Sequence, residues 1–336
     1  MRYQTLGRSN LKVSALCLGT MMFGDQTDAT EAARIVAHAH AHGVNFIDTA
    51  DVYTAGASET MVGQLIKAQR HDWVLATKLG NAMASRVNNG QYSRVWMLRA
   101  VDDSLRRLAT DHIDILYLHR DFAGMDLEEP VRALGDLVAS GKIRYWGVSN
   151  FRGWRIGELV HTAARLGVPG PVVCQPYYNL LNRMPEVEIL PACEHHGIGV
   201  APYSPIARGV LTGKYTPGAQ PEAGTRAGRG DKRIAETEIR EESLAIAQQL
   251  KAHAAAKGVT LAQWATAWVL ANRIVSSVIA GPRTLAQWAD YLPALDCSID
   301  AEDEALVNRL VAPGHPSTPG FNDPAYPLIG RRATPS

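Results

Sequence analysis

The residues of this chain that could do chemistry stand just behind short apolar runs. "VNFID" (44–48) ends in Asp48, with Asp51 and Tyr53 soon after it. "WVLATK" (73–78) ends in Lys78, and "IDILYLH" (113–119) ends in His119, followed by Arg120. "IRYWGVS" (143–149) delivers Ser149 and Asn150, "VVCQ" (172–175) Gln175, and "IGVAPYS" (198–204) Tyr203 and Ser204. "SSVIAG" (276–281) runs through Gly281 into Arg283. A free tyrosine, with a pKa near about 10, is a poor acid or base at neutral pH. A lysine ammonium beside it stabilises the phenolate and lowers that value. A carboxylate such as Asp48 can hold the lysine and keep it charged. A histidine can donate a hydrogen bond to a substrate oxygen or relay a proton. Together these types make a tuned proton donor for an oxygen that becomes negative, as a carbonyl oxygen does on accepting hydride.

Taken singly, each of these residues has a plain structural reading, because strands return to solvent at their ends. The set gains meaning if the ends converge. Including "SALCLG" (14–19), the chain holds eight short apolar runs separated by amphipathic stretches. Helices are expected over 28–43, with Asp28 as cap and Gly43 as stop, and over about 58–70, 93–108 and 128–140. Most of the strands are apolar on both faces, the pattern of parallel strands covered by helices. The expected class is therefore α/β, a closed (β/α)8 TIM barrel, whose strand ends meet at one mouth. An open doubly wound sheet usually carries a Gly-rich phosphate turn after its first strand; here that turn reads "GTMMFG" (19–24) and does not fit.

Three segments fall outside the repeat. "RYQTLGRSNLKVS" (2–14) reads as a β-hairpin with "GRSN" as its turn, suited to plug one end of a barrel. Residues 207–238, with "TPGAQPEAGTRAGRGDKR" at their centre, read as a long flexible loop after the seventh strand. Extra helices are expected toward the C-terminus, and 314–336 reads as a Pro- and Gly-rich surface tail. The whole of 1–336 is expected to form one domain.

The totals exclude several roles. The formal charge of +1 gives no basis for a nucleic-acid or anionic-membrane surface. No apolar run approaches membrane-spanning length, and the opening residues carry no secretory h-region. The four cysteines are scattered without metal-type spacing, as free thiols of a cytoplasmic protein are. "GVLTGKY" (209–215) has the wrong spacing for a P-loop. His38 and His42 are one helical turn apart but lack a third ligand, so no metal is expected. "EHH" (194–196) reads as a helix end, and "RGD" (229–231) carries no weight. Trp264, Trp268 and Trp288 recur at helical spacing, as packing residues do.

With its elements in place, the chain resembles the aldo-keto reductase family over nearly its whole length. The motifs that carry the resemblance are "LGTMMFG" (18–24), "FIDTADVYTAGASE" (46–59), "TKLG" (77–80) and "IDILYLHR" (113–120). They continue with "GKIRYWGVSNF" (141–151), "CQPYYNLLNR" (174–183) and "GVAPYSPIARGVLTGKY" (199–215). The resemblance implies Tyr53 as general acid in reduction, Lys78 paired with Asp48 to depress its pKa, and His119 orienting the carbonyl. It implies Ser149, Asn150 and Gln175 on the nicotinamide carboxamide and Tyr203 stacked on its ring. Ser204, Ile206, Gly209, Leu211 and Lys214 would wrap the pyrophosphate, partly through backbone N–H groups, with Gly19, Thr20 and Met21 by the nicotinamide ribose. Asp51 would lie beside the ribose or line the pocket.

"GPRTLAQWADY" (281–291) matches the family's adenosine-end motif, with Gly281, Gln287 and Asp290 at contact positions. Arg283 would meet a 2′-phosphate, so NADPH is expected over NADH. Tyr291 stands where the family has Asn. Met22, Phe23, Asn81 and Trp146 are expected to contribute to a pocket for an apolar or aryl carbonyl, with a sugar or a methylglyoxal-type aldehyde as the alternative. The implied function is metal-free reduction of an aldehyde or ketone. The alternative is a cofactor-holding redox sensor resembling the family's channel-associated subunits. A barrel isomerase or lyase would have no use for the nicotinamide groups. The oligomeric state is not legible.

Overall fold

Short strands buried on both faces alternate with helices along the chain. The structure is a computed structural model and describes residues 1–85 and 87–327; the end of the expected tail, 328–336, lies outside the described residues. A hairpin of β1 (Tyr3–Thr5) and β2 (Lys12–Ser14) opens the fold. The parallel strands are β3 (Leu16–Gly19), β4 (Phe46–Asp48), β5 (Val74–Leu79), β6 (Ile113–Leu118), β7 (Ile143–Ser149), β8 (Val173–Gln175), β9 (Gly199–Val200) and β10 (Val278–Ala280). They lie side by side in chain order, with β10 against β3. Ser276 N donates to Val200 O at 2.8 Å, and Ile279 N to Pro202 O at 2.9 Å, which joins β9 to β10. The result is the expected (β/α)8 barrel.

The intervening helices are α1 (Ala29–Ala41), α2 (Ala57–Ile66), α3 (Arg94–Leu108), α4 (Glu128–Ala139), α5 (Gly153–Leu166) and α6 (Ile189–His196). Then come α7 (Lys232–Thr237), α8 (Glu241–Ala256), α9 (Leu261–Ala271), α10 (Leu285–Ala289) and α11 (Ala301–Leu310). Asp28 caps α1 by accepting from Glu31 N, as its position predicts. The second helix is shorter than expected, since 67–72 tighten into 3₁₀ turns. The seventh strand is also shorter than the apolar run that suggested it. Pro202 has no N–H to give the ladder, so Tyr203 joins only through isolated bridges to Tyr177 and Ile279. Residues 207–238 are not structureless, for they contain a 3₁₀ segment (Ala207–Thr212) and α7.

The hairpin closes the end of the barrel opposite the strand C-termini. Gly7 sits at φ +58°, and a Cβ there would lie 2.5 Å from Gly199 N, so the turn requires glycine. Leu6 and Val13 are buried with Cys17, Phe46, Ile115, Tyr117 and Val173 inside the barrel. A second core lies between strands and helices and takes Trp146, Trp264, Trp268 and Trp288. The late tryptophans are thus packing residues, each contributing on the order of 2–3 kcal/mol by burial. His38 and His42 stack with ring centroids 4.1 Å apart on an exposed helix turn. Among the described residues, no group of three or more His, Cys, Asp or Glu side chains could hold a metal ion.

Candidate active site

The site begins where β4 ends. Asp48 is 2 % exposed and Lys78, on the adjacent β5, is fully buried. Lys78 Nζ donates to Asp48 Oδ1 at 2.5 Å, to Thr49 O at 2.7 Å and to Tyr53 Oη at 3.2 Å. An ammonium has three donors, and all three are used here. Asp48 Oδ2 accepts from Gln175 Nε2 at 2.9 Å, which ties β4 to β8 across the barrel. Tyr53 is aimed by a loop in which Thr54 and Ala55 adopt φ of +48° and +51°, a strained conformation for residues with a Cβ. The His119 ring meets Tyr53 edge-on, with centroids 6.0 Å apart.

The charges follow from this packing. Burial works against the Lys78 ammonium, but Asp48 and Tyr53 outweigh it and hold its pKa above the ordinary lysine value. Burial pushes the Asp48 carboxyl up, opposed by Lys78 and Gln175. Burial likewise raises the Tyr53 phenol, and the lowering pull of Lys78 does not overcome it. This corrects the expectation of a depressed phenol, because desolvation of a phenolate costs more than one neighbouring ammonium returns. Burial, then Lys78 and Arg120, push His119 down to about 3, so the imidazole is neutral at physiological pH. It can donate a hydrogen bond but has no proton to spare.

A cavity of about 350 Å³ opens over Tyr53 and His119 and runs along the strand ends. Its wall includes Gly19, Thr20, Met21, Asp48, Ser149, Asn150, Gln175, Tyr203, Ser204, Ile206, Gly209 and Lys214, and beyond them Gly281, Arg283, Gln287 and Asp290. Lys78 stands behind Tyr53. Ser149 Oγ donates to Gln175 O at 2.8 Å, Asn150 Nδ2 to His119 O at 3.0 Å, and Tyr203 Oη to Asn150 Oδ1 at 2.8 Å. Gln287 and Asp290 are engaged inside the protein. Gln287 Oε1 accepts from Arg283 N at 2.9 Å, and Asp290 Oδ1 from Gln263 Nε2 at 2.6 Å.

Several expected pocket residues lie elsewhere. Leu211 is buried in the core with its N–H given to Ile206 O at 3.1 Å, and its neighbour Thr212 lines the cavity instead. Asp51 is 1 % exposed and does not line the cavity, and the charge of Glu59 on α2 acts on it. Met22 lines the cavity but Phe23 is buried in the core. Trp146 packs between β7 and the helices, its Nε1 donating to Pro169 O at 2.6 Å. Asn81 belongs to a separate shallow cavity with Arg120 and Phe122.

The wall also holds residues not singled out from the sequence. Gln26, Arg208, Arg226, Arg229 and Arg233 line it, and so does Tyr326 from the C-terminal segment. The signal was present in "TPGAQPEAGTRAGRGDKR", where four basic residues outnumber two acidic ones. Arg208, Arg226 and Arg233 have carboxylate partners in Glu238, Asp231 and Asp323. Among the described residues, Lys214, Arg229 and Arg283 have none within ion-pair reach. Burial, then Arg283 and Arg229, lower the Lys214 pKa, and burial, then Arg229, lower that of Arg283. Three mutually repelling cations gathered on one wall fit a bound polyanion, as the phosphates of a dinucleotide are. Gly281 leaves open space beside them, since a Cβ there would meet nothing within 4 Å.

The chain has relatives among known proteins. It is 40 % identical over 301 residues to the "Probable voltage-gated potassium channel subunit beta" of Arabidopsis thaliana, covering 88 % of this chain and 92 % of that protein. It is 36 % identical over 323 residues to the "Uncharacterized oxidoreductase YrpG" of Bacillus subtilis, covering 92 % of this chain and 96 % of that one. The model of the aldo/keto reductase family matches residues 15–312. With its barrel, its strand-end site and this match, the chain belongs to the aldo/keto reductase family.

Proposed function

We propose that the protein is an NADPH-dependent reductase of aldehydes or ketones. One observation carries the reading: the Asp48–Lys78–Tyr53 chain of hydrogen bonds ends at a cavity whose far wall holds Lys214, Arg229 and Arg283. A bound nicotinamide supplies the hydride. Tyr53, protonated through the neutral range, gives its proton to the carbonyl oxygen as that oxygen becomes negative. Lys78 stabilises the phenolate left behind, and Asp48 fixes Lys78 in place. Neutral His119 donates a hydrogen bond that orients the carbonyl.

On this reading Ser149, Asn150 and Gln175 hold the carboxamide and Tyr203 packs on the nicotinamide ring. Gly19, Thr20 and Met21 border its ribose. Ser204, Ile206, Gly209 and Lys214 receive the pyrophosphate, and Arg226 and Arg229 join them. Gly281, Arg283, Gln287 and Asp290 take the adenosine end, with Arg283 on the 2′-phosphate. The reaction itself needs no metal.

The name of the Arabidopsis relative supports a second reading, a cofactor-holding regulatory subunit. Titration of the purified protein with NADPH and NADH, followed by tyrosine and tryptophan fluorescence, tests the cofactor. Addition of an aromatic aldehyde, followed by nicotinamide absorbance, tests the chemistry. Tight NADPH binding with turnover is expected; tight binding without turnover on a broad carbonyl panel favours the regulatory reading. Failure to bind either cofactor overturns both.

A further inference from the structure

We propose that Arg120 recognises an anion on the substrate, and that the site takes carbonyl compounds bearing a carboxylate. The proposal rests on the reading of the protein as a carbonyl reductase and names its substrate class. Arg120 follows His119 directly, so the two side chains leave the backbone about 3.8 Å apart. The main chain there is held firmly: Arg120 N donates to Tyr92 Oη at 3.0 Å, and Tyr92 Oη donates to Arg120 O at 2.6 Å.

The guanidinium approaches two aromatic rings, 5.5 Å from the Phe122 centroid and 5.3 Å from that of Tyr326. Tyr326 also lines the catalytic cavity, so a wall residue of that cavity contacts Arg120, which itself lines the shallow cavity of Asn81. A guanidinium recognises anions through its in-plane N–H edge. That edge is barely used. The side chain makes one hydrogen bond among the described residues, from Nη2 to Ala325 O at 3.2 Å. Its Nε is enclosed without an acceptor.

No carboxylate among the described residues pairs with Arg120. The next residue is an acid, yet Asp121 turns to Arg155 at 3.2 Å. Arg155 also holds Glu158 at 2.7 Å. Among the described residues Arg120 is thus without an acid, while Arg155 has two. The shallow cavity that it shares with Asn81, Gln91, Ser93 and Phe122 offers neutral polar groups. Its charge reaches the catalytic centre, since it helps to keep His119 neutral. A planar carboxylate matches the guanidinium fork in two parallel hydrogen bonds, which a neutral aldehyde cannot make.

The test compares 4-carboxybenzaldehyde with benzaldehyde as substrates of the full chain with NADPH. The expected result is a kcat/KM at least tenfold higher for the carboxylated aldehyde, with the difference mainly in KM. Arg120→Met should shrink that preference about tenfold, and Arg120→Lys should keep part of it. Equal kcat/KM for the two aldehydes overturns the proposal. So does an Arg120→Met loss of the same factor for both, which would make Arg120 only an anchor for the C-terminal segment. Binding of 4-carboxybenzyl alcohol in the presence of NADPH, read by intrinsic fluorescence, addresses Arg120 without turnover. Weaker binding in Arg120→Met supports the proposal even where neither aldehyde reacts, an outcome that would defeat the reductase reading alone. Unchanged binding overturns it.

Discussion

Asp51 and Glu59 are buried carboxyls close enough for the charge of one to act on the other, and only Glu59 is paired. Glu59 accepts from Thr77 Oγ1 at 2.5 Å and from Arg107 Nε at 2.6 Å. Neither oxygen of Asp51 has a partner in good geometry. Burial, and after it the negative charge of Glu59, lift the Asp51 pKa to about 8, so at neutral pH it is mostly a neutral acid two residues from Tyr53. A carboxyl whose folded pKa lies above its unfolded value of about 3.9 contributes stability that is complete below that value and lost as pH rises toward the folded one. Wild type should lose stability relative to Asp51→Asn between about pH 4 and about pH 8, by on the order of a few kcal/mol. Thermal unfolding of both proteins across that range is the check. A difference that does not vary with pH would falsify the assignment of Asp51 as the titrating group.

Tyr53→Phe removes the proton donor and keeps the ring. NADPH binding should be nearly intact while kcat falls by about 10²–10⁴. Steady-state kinetics beside a fluorescence titration separates the two effects. Reduction at the wild-type rate would mean that another group supplies the proton.

Lys78→Met leaves the buried Asp48 carboxylate without its cation. Removing one member of a buried pair costs about 3–5 kcal/mol, so a large fall in Tm is expected as well as loss of turnover. Asp48→Asn, which keeps the Gln175 contact within reach, should cost less in stability. Denaturant unfolding of the three proteins decides this, and equal stability of Lys78→Met and wild type would show that the pair is not buried in solution.

Arg283→Ala should weaken NADPH more than NADH, by about tenfold or about 1.4 kcal/mol. The wild-type preference for NADPH should also shrink as salt rises, since it is electrostatic. Titrations of both cofactors at two ionic strengths give the answer. An equal loss for NADPH and NADH would remove Arg283 from the 2′-phosphate.

The division between what was legible in the chain and what was not follows from the nature of the signals. Asp48, Lys78, His119 and Gln175 could be placed because each ends an apolar run, and a barrel of parallel strands brings such ends to one mouth. The hairpin plug was legible because a turn with Gly7 needs few residues to specify it. The direction of a side chain inside a strand was not. A strand buried on both faces has no polar alternation to give its parity. Trp146 thus read as a pocket residue, although it turns outward to the helices while Tyr145 turns inward. Phe23 misled because it stands in the turn after β3, where no strand parity applies, and Asp51 because a carboxyl so near a strand end reads as a mouth residue although it is buried. The sequence by itself determined the barrel and the four residues at its mouth, since both are local patterns repeated at strand ends. Only the tertiary structure decided which cations meet. Lys214, Arg229 and Arg283 are scattered along the chain, and folding alone collects them on one wall. It also swings the C-terminal segment across, so that Tyr326 enters the wall of the same cavity and meets Arg120, more than two hundred residues away.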